Sequence, residues 1–265
     1  MMSDSNNILQ KLQDNAGDVA REPLEDVDKQ DDKGWTALHF AAKDGRTDRV
    51  KALKDKGSDV NKLTKNGSTA LYLASENGHT ETVRALIQVG ANVDKQNNDG
   101  WTALHFAAQN GKTDTVKALK DIGSDVNKQT KKGSTALFLA SQNGHTETVR
   151  ALKQVGANVD KQNESGWTAL HIAAKNGHLR TVIALIEAKA SVNKKNNSGW
   201  TALQYASENE ETQIVHTLLA SGATYSVKDQ IQVALSQGRQ DMVFQFLGNL
   251  KSKKTGRKKE GISTI

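Results

Sequence analysis

The residues with the most chemical potential in this chain are its histidines. His39, His105 and His171 share one spacing, and His79, His145 and His178 share another. An imidazole binds a metal only where several ligands converge on one point, and it acts as a general base only beside a partner. Here the rings are strung along the chain at intervals of one or two repeats, so they are read as structural. There is no HExxH, no GxSxG and no phosphate-binding glycine loop. The absence of cysteine excludes a thiolate zinc site, a disulfide scaffold and a cysteine nucleophile together. No catalytic, cofactor-binding or metal-ligating residue is assigned, and no cofactor is implied. Every conspicuous residue recurs, whereas an active site is normally unique.

What positions these residues is a period of 33. Glycine recurs at 34, 67, 100, 133, 166 and 199, and threonine at 36, 69, 102, 135, 168 and 201. Leucine recurs at 38, 71, 104, 137, 170 and 203, and valine at 50, 83, 116, 149, 182 and 215. A second period of 66 overlies the first. GWTALHFAAKDGRTDRVKALKDKGSDVNK in copy one closely matches GWTALHFAAQNGKTDTVKALKDIGSDVNK in copy three. Within each copy, Thr36 and its equivalents can cap a short helix with Leu38, Ala41 and Ala42 on one face. Gly45 breaks the chain, and a second helix turns Val50 and Leu53 inward. Gly57 ends that helix in a left-handed conformation. A polar turn follows, anchored by Val60. Such a unit buries no core alone, but stacked copies bury one continuously.

This pattern resembles the ankyrin repeat, G-x-T-P-L-H-x-A-A-x-x-G-H-x-x-V-x-x-L-L-x-x-G-A-x-V-N, over about residues 34–226. The resemblance implies a mainly α ankyrin-repeat solenoid of helix-turn-helix units with projecting β-hairpin fingers. Residues 1–33 are expected to cap the N-terminal end and 227–250 to form C-terminal capping helices. Residues 251–265 read as a basic disordered tail. Two departures stand out. The family's helix-opening proline is alanine in all six copies, at 37, 70, 103, 136, 169 and 202. Lys54, Lys120 and Lys153 replace the second leucine of the second helix, where they must extend their ammonium groups to water and are expected to weaken copies one, three and four.

An array of this kind is expected to bind a protein partner in its concave groove, as a monomer and without a small-molecule substrate. The tip residues before each glycine vary while the core does not, as expected where specificity is written. The candidate partner-binding residues are therefore Lys33, Lys65, Asn66, Asn98, Asp99, Lys131, Lys132 and Glu164, together with Trp35, Trp101, Trp167 and Trp200 at the finger bases. The tryptophans read either as packing between fingers or as binding anchors. Lys29, Lys62, Lys95, Lys128, Lys161 and Lys194 form a stripe, read as a solvated face or as a surface for an acidic partner. Asn61 and Asn127, in LKDKGSDVN and LKDIGSDVN, resemble the asparagines hydroxylated in ankyrin repeats, although most such residues are simply turn residues.

Charge divides the chain. Residues 1–33 hold nine acids and four bases, and residues 251–265 six bases and one acid. The net charge of +6 therefore leaves the body only mildly basic, which disfavours a nucleic-acid partner. The tail supports an alternative reading as a nuclear or nucleic-acid-associated regulator, against that of a solubilising tail. The terminal Ser263-Thr264-Ile265 also resembles a short C-terminal ligand. No segment is long and apolar enough to span a membrane, and no secretory signal opens the chain. The expected location is cytoplasmic or nuclear, or, for a host-directed bacterial effector, export by a specialised system.

Overall fold

The computed structural model describes residues 26–239 and Met242. The remainder of the two expected caps and the whole basic tail lie outside the described residues. Among the described residues run thirteen α-helices and no strand. They are α1 (Ala37–Lys43), α2 (Thr47–Asp55), α3 (Ala70–Asn77), α4 (Thr80–Gln88), α5 (Ala103–Gln109), α6 (Thr113–Asp121) and α7 (Ala136–Gln142). There follow α8 (Thr146–Gln154), α9 (Ala169–Lys175), α10 (Leu179–Glu187), α11 (Ala202–Glu208), α12 (Thr212–Ala220) and α13 (Val227–Ser236). None is long and apolar enough to cross a membrane.

Odd-numbered helices open each repeat and even-numbered helices close it. Each opening helix starts after an extended threonine, such as Thr36 at φ −105 and ψ 169. Alanine in place of proline at the first helical position leaves all six opening helices intact. The core is one continuous cluster. Leu38, Val50 and Leu53 and their copies are at most 2 % exposed, except Val215 of the sixth copy, which is half-buried. Ala41 and Ala42 and most of their equivalents are small and buried, so the opening helices approach one another closely. They pack on each other more extensively than the closing helices do. A stack tighter on one side curves toward it, which places the opening helices on the inner face.

Three polar ladders tie the repeats together. Thr47, Thr80, Thr113 and Thr146 share hydroxyl hydrogen bonds with Thr82, Thr115, Thr148 and Thr181 of the next repeat, at 2.8–2.9 Å. His79, His145 and His178 donate from Nε2 to Lys43 O, Gln109 O and Gln142 O of the preceding repeat at 2.8, 2.9 and 3.0 Å. A Cβ on Gly45 would lie 2.6 Å from the His79 ring, so glycine is required there for the close approach as well as for its φ of 69. In the third ladder Asp28, Asn61, Asp94, Asn127, Asp160 and Asn193 alternate, and each accepts the amide hydrogen 31 residues ahead. Asp94 also accepts from the Ser124 hydroxyl, and Asp160 and Asn193 from the hydroxyls of Ser191 and Thr224. Asn61, Asn127 and Asn193 in addition donate to the glycine carbonyls Gly90 O, Gly156 O and Gly222 O.

The expected β-hairpin fingers are tight turns in this structure. Within a finger, Asp31 N donates to Trp35 O and Gly34 N to Asp31 O, both at 2.9 Å. Between fingers there is at most one backbone bond, such as Lys65 N to Lys33 O at 3.0 Å. One bond per neighbour does not make a strand ladder. Glutamine side chains supply the rest. Gln96 Nε2 reaches both Gly100 O and Gln129 O, at 2.6 and 3.1 Å, and Gln30, Gln129 and Gln162 do the same in their fingers.

The lysines at 54, 120 and 153 stand at the rim of the core. Lys54 and Lys120 are half-buried and Lys153 is exposed. Leu219, the apolar residue at the same repeat position, is itself 43 % exposed. Ile87 and Ile186 at that position are half-buried against the core, so lysine gives up part of an apolar contact in copies one, three and four.

Candidate binding face

The opening helices carry histidine at three equivalent positions, and each ring joins its helix cap to the next finger. His105 Nδ1 accepts from Thr102 N at 3.1 Å and lies 2.8 Å from Thr102 Oγ1. A backbone N–H can only donate, so Nδ1 is the unprotonated nitrogen. The hydrogen sits on Nε2, which donates to Lys128 O and Ser134 O at 3.1 and 3.2 Å. His39 repeats the arrangement, and His171 donates to Trp200 O at 3.0 Å. Burial lowers the pKa of all three, that of His105 to about 4. They are neutral tethers for the fingers. Among the described residues no group of three histidine, aspartate or glutamate side chains could hold a metal.

The finger bases stand beside the opening helices, on which the aromatic ones pack. An Asx turn sets the tryptophans: Asp31, Asn97, Asn163 and Asn196 accept from the backbone N of Trp35, Trp101, Trp167 and Trp200 at 2.7–2.9 Å. In the second and fourth fingers Thr64 and Thr130 hold Ser68 and Ser134 in the same way. The tryptophan rings are half-buried. Trp35 packs on Phe40 at 5.0 Å and Trp101 on Phe106 at 5.1 Å. Trp167 reaches Tyr205 of the next repeat at 4.4 Å, and Trp200 meets the same ring at 5.0 Å. Lys43 lies 5.6 Å over Trp35, and Lys175 5.2 Å over Trp167. Such pairs hold a flexible ammonium over an aromatic face.

The result is a row of tips and opening-helix ends with an indole at the base of four of the six fingers. The tips Lys33, Lys65, Asn66, Asn98, Asp99, Lys131, Lys132 and Glu164 are all exposed. The four tryptophans lie at the bases beneath them, and the aromatic contacts join packing and accessibility in the same rings. None of the four indole N–H groups has a protein partner, and none is buried. Phe40, Phe106 and Tyr205 belong to the row although sequence reasoning passed over them. Their signal was present as an aromatic five residues after a tryptophan.

Other candidates lie elsewhere. Asn61 and Asn127 stand in the alternating ladder, with both ends of the side chain bonded to the next repeat. In the lysine stripe, Lys29 and Lys161 are exposed, whereas Lys62, Lys95, Lys128 and Lys194 are half-buried. Lys194 Nζ donates to Asp160 O at 2.9 Å.

A family model described as ankyrin repeats (3 copies) matches residues 2–97, 89–163 and 152–229. Comparison with curated proteins finds no match.

Proposed function

Because the chain belongs to the ankyrin-repeat family, whose arrays are protein–protein interaction modules, we propose that it is a non-catalytic scaffold holding a protein partner across its fingers and opening helices. The observation that carries this reading is the row of half-buried tryptophans with accessible, unpartnered indole N–H groups under variable, exposed tips. Tryptophan combines large contact area with a donor and is favoured where a few residues supply most of the binding energy. The first candidates for contact are Trp35, Trp101, Trp167 and Trp200, with Lys33, Lys65, Asn66, Asn98, Asp99, Lys131, Lys132 and Glu164 around them. The array supplies contact length, and the partner is blocked, recruited or bridged. A host-directed effector and an intracellular adaptor would use the same surface.

The test compares partner capture by three forms: wild type, Trp101→Ala with Trp167→Ala, and a chain lacking residues 251–265. Circular dichroism first establishes that each folds. Retention by wild type, with loss only from the tryptophan pair, is the expected result. Each hot-spot truncation should weaken binding by about 2 kcal/mol, roughly thirtyfold. If retention follows residues 251–265, or if only nucleic acid is retained with steep salt dependence, the basic-tail reading replaces this one.

A further inference from the structure

The chain contains five Asn-Gly pairs, at Asn66, Asn77, Asn110, Asn143 and Asn176. The dipeptide is the same, but the settings differ. Asn77, Asn110 and Asn143 end opening helices and donate from Nδ2 to Leu73 O, Phe106 O and Leu139 O at 2.8–2.9 Å. Asn176 donates to Gln142 O of the preceding repeat at 2.9 Å. Asn66 is the tip of the second finger and is exposed. Neither its backbone nor its side chain makes a hydrogen bond among the described residues.

The local cause is a missing stitch. Four fingers carry glutamine at the position that bonds both the finger's own glycine carbonyl and the next finger. The second finger carries Leu63 there, 38 % exposed and without a donor. Gln96, by contrast, reaches Gly100 O and Gln129 O. The tip bond fails at the same junction. Lys33 O, Asp99 O, Lys132 O and Ser165 O each accept from the next finger, at 2.9–3.2 Å, whereas Asn66 O accepts from none. The seam between the second and third fingers is thus the least tied junction of the finger row.

We propose that Asn66 is a site of spontaneous deamidation, through which the second finger gains a negative charge after folding. The Gly67 backbone nitrogen attacks Asn66 Cγ, and a C–N bond forms as the Cγ–Nδ2 bond breaks. The amide nitrogen leaves as ammonia, taking up the proton lost by the Gly67 nitrogen. Water then opens the cyclic imide at either carbonyl, giving aspartate or isoaspartate. One water is consumed and one ammonia released, with no change of oxidation state. Glycine cannot be exchanged freely here, because Gly67 has φ 74, so the fold keeps a glycine next to Asn66. Its N–H, which donates to Thr64 O at 2.9 Å, must leave that bond to attack, as the other four glycine N–H groups must leave theirs. The aspartate product fits the finger, since the third finger carries Asp99 before Gly100 at a φ of 78. Beside Lys65 the new carboxylate cancels a charge in the candidate contact row. That consequence for binding rests on the proposed face, whereas the chemistry does not.

The experiment incubates the folded chain at mildly alkaline pH and reads conversion at each Asn-Gly pair by peptide mass spectrometry. Asn66 should convert roughly fivefold or more faster than the other four, the factor that one broken side-chain hydrogen bond is worth. In denaturant all five should convert at similar rates. Leu63→Gln, checked for folding by circular dichroism, should slow Asn66 and leave the others unchanged. Equal or slower conversion at Asn66 in the folded chain overturns the assignment, as does a lead that persists in denaturant. An unchanged rate in folded Leu63→Gln overturns the seam as its cause. Loss of partner binding by Trp101→Ala with Trp167→Ala is scored separately, so failure of the binding reading leaves the conversion result standing.

Discussion

At His105, Nδ1 accepts the Thr102 amide hydrogen while Nε2–H holds the next finger. Protonating Nδ1 therefore costs a cap bond and buries a charge. With a folded pKa of about 4 against an ordinary 6.5, the unfolded chain binds more protons between these values. The stabilisation from a neutral His105 is complete above pH 6.5 and is lost as pH falls toward 4, at most about 3 kcal/mol. Gln204 shows the replacement that avoids this. Its Oε1 accepts from Thr201 N at 2.9 Å and its Nε2 donates to Gln232 Oε1 at 3.2 Å. His105→Gln should flatten the loss of stability between pH 7 and 5 in denaturant titrations, and an unchanged slope would refute the assignment. Ser75 and Ser141 offer a second check. Their hydroxyls are buried without partners, at positions where other copies carry Ala42, Ala108 and Ala174. Ser141→Ala should raise stability by about 1 kcal/mol, seen as a higher denaturation midpoint at constant slope.

Between elements, the alternating aspartate and asparagine ladder makes a prediction of pairing. Asn127→Asp places a carboxylate against Gly156 O and should cost about 1–2 kcal/mol. Adding Ala157→Ser provides the hydroxyl that Ser124 donates to Asp94, and it should recover part of that loss in a double-mutant cycle. Strict additivity would mean that the pairing carries no energy. The glycine turns separate two effects in the same manner. Gly57 has open space around it, whereas Gly45 abuts the His79 ring. Gly57→Ala should cost only the left-handed backbone penalty of about 1 kcal/mol. Gly45→Ala should cost clearly more and should also break the bond from His79 to Lys43 O.

Over the whole molecule, each repeat touches chiefly its neighbours, so stability approximates a sum of repeat and interface terms. The period of 66 makes copies three and four an exchangeable block. Deleting residues 100–165 should leave a folded, shorter array with a lower melting temperature and unchanged helical content per residue. A chain that collapses to an unfolded spectrum would count against nearest-neighbour stacking. The same deletion removes Trp101 together with the tips Lys131, Lys132 and Glu164, so it should weaken partner binding more than Trp101→Ala does.

The sequence alone determined the repeat length, the helix pairs, the inward leucines and valines and the absence of cysteine chemistry. A 33-residue period repeated six times fixes which side chains face the core, whatever the details of the turns. The resemblance to ankyrin repeats placed the tryptophans at the finger bases, and their constant offset from the repeat glycine makes the four positions equivalent. Tertiary structure alone decided what crosses from one repeat to the next. The Thr47–Thr82 bond joins residues 35 positions apart, and the bond from His79 to Lys43 O spans 36. Neither can be read from periodicity, which sees only identical positions. The fingers became turns stitched by glutamine because neighbouring fingers share at most one backbone bond. That Leu63 lacks the two bonds its glutamine counterparts make, and that Asn66 O accepts from no neighbouring finger, shows only in the stack. The sequence holds the pattern of each unit, and only stacking reveals which polar atoms find partners, since those partners belong to the next unit.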